Sequence, residues 1–131
     1  MPDPMDHSTK AGGVIFRISK TFTFSASHQL MHLPEGHKCK RLHGHTYSVT
    51  VNLAAKALNE DGFVVDFAEL DRVGAFIRDY LDHQHLNAVL TFVPTCELIA
   101  QFIAEKFQEL PIESVRVSES PTTWAEYQRA V

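Results

Sequence analysis

The chain of 131 residues has little of what marks the extreme protein classes. Its two cysteines, Cys39 and Cys96, are too few for a disulfide framework, and that scarcity leads us to expect a reducing, cytoplasmic location. Six glycines and six prolines exclude collagen and low-complexity tracts. No apolar run approaches the roughly 20 residues that a membrane helix needs. The opening residues, MPDPMDHSTKAGG, lack the apolar stretch of a secretory leader. Positive charge is not in excess. Twelve Lys and Arg against 16 Asp and Glu leave a formal net charge of −4, without the basic footprint of a nucleic-acid binder. What remains is an ordinary globular composition, 44% hydrophobic and 21% charged, at a length that suits one domain.

Histidine is the residue in abundance. There are eight, and seven of them fall between His28 and His85. Function is therefore sought in that interval.

Residues 1–13 read as a disordered tail that includes His7, and residues 14–131 as a single domain. Residues 14–26 are rich in β-branched and aromatic types and predict a strand. Residues 29–42, with Pro34-Glu35-Gly36 and a basic run, predict a loop. From Gly44 the chain alternates: Tyr47, Val49, Val51 and Leu53 share one face of a long strand. Asn59-Glu60-Asp61-Gly62 predicts a turn into a short hairpin strand, Phe63-Val64-Val65. Asp66 is placed to cap a helix ending near Leu81, with Glu69 completing a capping box. Its apolar stripe is Phe67, Leu70, Val73, Ile77 and Tyr80. After a connection over 82–94, a second helix is expected from the N-cap Thr95 to about Glu109. A strand through Val115, Val117 and Glu119 follows, then a last one around Trp124 to Arg129.

This order predicts an α+β domain with an antiparallel sheet and two helices on one sheet face. Phe22, Phe24 and the many valines suggest that the other face is also apolar and is covered by a second subunit.

Four groupings carry chemistry. In His43-Gly44-His45, strand geometry points both imidazoles to one face roughly 7 Å apart, so both can serve one metal. His28 ends the preceding strand and can add a third nitrogen, leaving an open position of the kind found in catalytic zinc sites. Surface or core histidines without metal are the plainer reading of the same motif. Cys39 lies among Lys38, Lys40 and Arg41, which suit an activated thiolate; an ordinary thiol or a metal ligand stands beside that reading. Cys96 opens an apolar helix and reads as structural. Asp82-His83 can form a proton-handling pair, or be a solvated helix end. Glu119 continues the apolar face of Val115 and Val117, where a carboxylate can accept from a paired N–H edge such as that of a guanine or pterin. Glu97 fits a helix start on dipole grounds alone. His32 and His37 read as exposed bystanders in the loop.

Taken together, FTFSASH at 22–28, PEGHKCKRLHGHTY at 34–47, VVDFAEL at 64–70, LDHQHLN at 81–87, PTCE at 94–97 and VSES at 117–120 resemble one family. It is the 6-pyruvoyl-tetrahydropterin synthase family, and PEGHKC with LHGH is more similar to its bacterial 6-carboxytetrahydropterin branch. The resemblance implies a T-fold with a four-stranded antiparallel sheet, assembling through β-barrels into a homohexamer with active sites between subunits. It implies Zn²⁺ on His28, His43 and His45, Cys39 as catalytic base, and Asp82 with His83 as acid/base relay. It casts Glu119 as the pterin anchor, helped by Thr95 and Glu97. The implied reaction is that of a carbon–carbon lyase in 7-deazaguanine (queuosine) biosynthesis. It converts 7,8-dihydroneopterin triphosphate and water to the carboxypterin, acetaldehyde and triphosphate. The sister pyruvoyl reaction, and a non-catalytic pterin- or metal-binding module, are the alternatives. Ser120 stands where the family usually has Thr, and Gln84-His85 departs from the usual pair, so no role falls to His85.

Overall fold

A computed structural model describes residues 15–129, so the expected N-terminal tail with His7 lies outside the described residues. Two long strands, β1 (Phe16–His28) and β2 (His43–Ala55), form the centre. They pair antiparallel along their whole length, from Phe16 opposite Ala55 to His28 opposite His43. β4 (Ile112–Ser120) adds to β2, and β5 (Thr123–Gln128) adds to β4, both antiparallel. A two-residue strand, β3 (Gln84–His85), lies parallel to β1 at the other edge. The sheet is therefore mixed and five-stranded, in the order β3-β1-β2-β4-β5, and corrects the expected four-stranded antiparallel one.

The expected hairpin strand at 63–65 does not form. The Asn59 side chain accepts from the Asp61 and Phe63 amides, and the Asn59 amide donates to the Phe63 carbonyl at 2.8 Å. Both backbone groups of Phe63, the first residue of the expected strand, are thus spent inside a turn rather than in a ladder. Val64 and Val65 still pack on the core.

The helix expected from Asp66 to Leu81 is a composite. A 3₁₀ turn over Phe67–Leu70 leads into α1 (Asp71–Phe76), and a π turn over Ile77–Leu81 ends it. Asp66 caps the start by accepting from the Ala68 amide. Glu69 does not close a capping box; its carboxylate pairs with Arg72 instead. The connection over 82–94 contains a further short helix, α2 (Leu86–Val89). The other predicted helix is α3 (Cys96–Lys106), with Thr95 as N-cap accepting from the Leu98 amide.

The helices pack on one sheet face, where Leu70, Val73 and Ile77 of the expected stripe are buried, whereas its end members Phe67 and Tyr80 are exposed because the 3₁₀ and π turns change the helical period there. Val73, Ile77, Leu81, Ile99 and Ile103 meet Val49, Val51, Leu53, Val115 and Val117 on that sheet face. The register sets Phe22 opposite Val49 and Phe24 opposite Tyr47, so these residues share that face. The opposite face is polar, contrary to expectation. Thr21 pairs with Thr50, Ser25 with Thr46, Ser19 with Asn52, and Asn52 with Ser114 through side-chain hydrogen bonds.

The chain end is tied to α3 by Arg129. Its guanidinium donates to the carbonyls of Ala104, Phe107 and Leu110, at and just beyond the helix end, where the Phe107 and Leu110 carbonyls also accept from the Leu110 and Ile112 amides. Replacing it should cost about 2 kcal/mol, the scale of hydrogen bonds to a charged donor. Arg129→Ala and Arg129→Lys should both lower the unfolding free energy in urea, because a lysine cannot span three carbonyls. An unchanged urea midpoint in both variants would contradict this.

Candidate metal and pterin site

The strand register builds the site. His28 and His43 occupy the last rung of the β1–β2 ladder, and His45 lies two residues on, on the same face. The ring centroids are 4.5 Å apart for His28 and His43, 5.1 Å for His28 and His45, and 4.8 Å for His43 and His45.

Hydrogen bonding fixes which nitrogens point inward. His28 Nδ1 lies 2.8 Å from the Pro94 carbonyl, and His43 Nδ1 lies 2.6 Å from the Arg41 carbonyl. A carbonyl only accepts, so each Nδ1 carries the proton and each neutral ring presents a bare Nε2. Those two Nε2 atoms face one another at 2.9 Å. Two lone pairs at that distance repel unless a proton or cation lies between them. His45 Nε2 is buried without a hydrogen-bond partner. The three rings offer donor atoms within 4.8 Å of one another. This donor set fits a divalent transition metal, with carbonyls orienting two of the ligands from behind.

His28 is 2% exposed, and that burial pushes its pKa down and favours the neutral, metal-competent form. The Tyr47 hydroxyl is 3.2 Å from His28 Nδ1. Burial, and then the Glu119 charge, push the Tyr47 pKa up, so it stays a neutral phenol. Tyr47 was legible only as a core residue of β2, although it lies one alternation beyond His45.

Two pockets flank the triad. The first, of about 390 Å³, is lined by His28, Thr95, Cys96, Glu97, Glu119 and Trp124, among others. It brings the expected ring-binding residues Glu119, Thr95 and Glu97 beside His28 of the triad. His32, read as a bystander, also lines it. Cys96 does more than pack, since its thiol donates to Glu119 Oε2 at 3.6 Å. Burial and then the Glu119 charge push its pKa up to about 12, so it is a thiol donor rather than a thiolate. Its partner is 23 positions away, which local sequence patterns do not reveal.

The second pocket, of about 550 Å³, is lined by Ser25, Ser27, His45, Thr46, His83 and His85, among others. Asp82 Oδ2 pairs with His83 Nδ1 at 2.9 Å, and Asp82 Oδ1 accepts from the Ser25 amide at 2.9 Å. The Ser25 amide and then His83 hold the Asp82 pKa down. The expected Asp–His pair is therefore formed, with the imidazole 83% exposed. His83 has φ +59°, unusual for a residue with a side chain, and its amide donates to the Ser25 carbonyl at 2.6 Å. His85 Nδ1 meets Ser27 Oγ at 2.9 Å.

Cys39 lies in a single 3₁₀ turn, Lys38–Lys40, as a partly exposed free thiol. Its amide donates to His37 Nδ1 and its carbonyl accepts from the Leu30 amide. Lys40 is committed to Glu35, so it contributes less positive charge around the thiol than expected. The Arg41 carbonyl on His43 ties this turn to the triad.

The family model described as 6-pyruvoyl tetrahydropterin synthase matches residues 17–130. A 6-carboxy-5,6,7,8-tetrahydropterin synthase of Synechocystis is 40% identical over 119 residues, covering 84% of this chain and 91% of the relative. One of Haemophilus influenzae is 35% identical over 144 residues, covering 87% and 99%. Among solved structures, the 6-pyruvoyl tetrahydropterin synthase of Caenorhabditis elegans superposes with a TM-score of 0.78 at 26% identity, covering 89% of this chain and 97% of its own.

The triad predicts a stability gain from metal. Chelator-stripped protein given Zn²⁺ at 100 times its Kd should gain about 2.7 kcal/mol of unfolding free energy. His45→Ala should lose most of that gain. A wild-type unfolding transition that ignores zinc would contradict the assignment.

Proposed function

The chain belongs to the 6-pyruvoyl tetrahydropterin synthase family, and from that premise we propose that it is a zinc-dependent 6-carboxy-5,6,7,8-tetrahydropterin synthase. It acts as a carbon–carbon lyase in 7-deazaguanine (queuosine) biosynthesis, converting 7,8-dihydroneopterin triphosphate and water to 6-carboxytetrahydropterin, acetaldehyde and triphosphate. The names of its relatives support a pterin synthase role. The observation that carries the reading is the convergence of three imidazoles beside a pocket walled by Glu119, Thr95 and Glu97.

Held by His28, His43 and His45, zinc supplies Lewis-acid polarisation of oxygens on the substrate side chain. The chain's own residues divide the remaining work. Glu119 accepts the 2-amino and N3–H donors of the ring, a side-by-side pair suited to a carboxylate. Thr95 and Glu97 line the same pocket. Cys39 takes protons from the side-chain carbons as general base. His83, held by Asp82, is the second acid/base group and returns a proton as the side chain cleaves. Lys38 and Arg41 steer the triphosphate, whereas Lys40 is engaged by Glu35.

We assign the working unit to a cytoplasmic homohexamer built through β-barrels. An apolar second face does not support this, because that face is polar. What supports it is the edge: among the described residues, no strand lies against residues 17–23 of β1 on the side away from β2, and an open edge is a template for pairing with another copy. Among the described residues no helix is long and apolar enough to cross a membrane.

Zinc-loaded protein incubated with 7,8-dihydroneopterin triphosphate should release acetaldehyde. Triphosphate release without acetaldehyde would instead assign the pyruvoyl reaction, and no turnover would leave a binding module. Cys39→Ala should keep its zinc and lose turnover by about 10²-fold or more, the scale of general base catalysis. Loss of zinc from that variant would make Cys39 a ligand and overturn its role as base.

A further inference from the structure

Glu119 reaches the triad itself. Its Oε2 is 3.5 Å from His45 Nε2 and 3.9 Å from His28 Nε2. In a tetrahedral site with metal–ligand bonds of about 2.0–2.1 Å, neighbouring donor atoms are roughly 3.3–3.4 Å apart. The carboxylate oxygen thus stands near coordination spacing from two of the three ring nitrogens. One of these, His45 Nε2, is the buried atom that lacks a hydrogen-bond partner. Cys96 donates its S–H to this same oxygen, which favours the inward orientation of the carboxylate.

We propose that Glu119 is a fourth, displaceable ligand of the metal held by His28, His43 and His45. Three histidines would otherwise leave one position to water. The Glu119 side chain is 35% exposed and lines the ring pocket, so it can turn from the triad toward a ring seated there. Resting on the pterin reading, ring binding then draws the carboxylate off the metal and frees a position for the substrate's side-chain oxygens. Recognition of the ring and opening of the metal become one movement, and a diol without the ring would leave the position closed.

Cobalt substitution tests this directly. Co²⁺-loaded wild type should show one visible absorption spectrum, and Glu119→Ala and Glu119→Gln another. Chelator competition should show zinc affinity weakened at least ~10-fold in both variants. A 7,8-dihydropterin without phosphates, added to Co²⁺ wild type, should move its spectrum toward that of Glu119→Ala and leave the variant's spectrum still. If the variants fold poorly by circular dichroism, the wild-type titration decides alone. An unmoved wild-type spectrum overturns the proposal. So do equal spectra and affinities in well-folded variants, which would leave Glu119 ion-paired to a His45 imidazolium or facing the ring only. Acetaldehyde formation with an unmoved spectrum would retire this ligand and keep the lyase reading. The reverse outcome would keep the ligand and retire the lyase reading.

Discussion

The antiparallel register of β1 on β2 is the constraint on which the rest depends. It sets His28 opposite His43 at the end of the ladder and gives Phe22, Phe24, Val49 and Val51 one common face. A slip of one residue would turn every side chain of one strand to the other face. The triad would separate and the core would open in the same step. Stability and site geometry are therefore specified together, and the hydrophobic packing of Tyr47, Val49 and Val51 holds the imidazoles in place.

The triad in turn opposes that core. Bare nitrogen lone pairs facing one another in a buried position are unfavourable without a cation. The protein tolerates them because backbone carbonyls of Pro94 and Arg41 fix the rings from behind. Pro94 directly precedes Thr95, the N-cap of α3, and Arg41 closes the Cys39 turn. The same two segments that present Thr95, Glu97 and the basic residues thus orient the histidines of the triad.

Local patterns made part of this legible in the sequence. The alternation from Tyr47 to Leu53 gave β2 its buried face, and Thr95 marked the start of α3 because a capping side chain acts within three residues. His43-Gly44-His45 declared a shared face through strand periodicity alone. The misses were non-local or competitive. Asn59 outcompeted the ladder for backbone groups, whereas the polar second sheet face lay in the alternation of each strand, with Ser19, Thr21, Thr23 and Ser25 set between the inward residues of β1. Cys96 could not be connected to Glu119 without knowing that α3 and β4 pack together.

The Asp82–His83 pair follows from where β1 loses its neighbour. Beside Ser25 the sheet edge is completed by the Asp82 carboxylate and the His83 amide, which take the Ser25 amide and carbonyl as a strand would. Two hydrogen bonds to this one residue hold His83 in a left-handed conformation that costs of order 1 kcal/mol or more in a residue with a side chain. The local sequence relieves none of that cost, so the sheet edge must supply the compensation. In return the imidazole stands outward, its Nδ1 fixed by a carboxylate kept ionised by the same edge contacts. The strain, the low pKa of Asp82 and the exposure of His83 are thus three consequences of one capped rung. Ser25, Ser27 and Thr46 give the pocket beside that rung a polar lining.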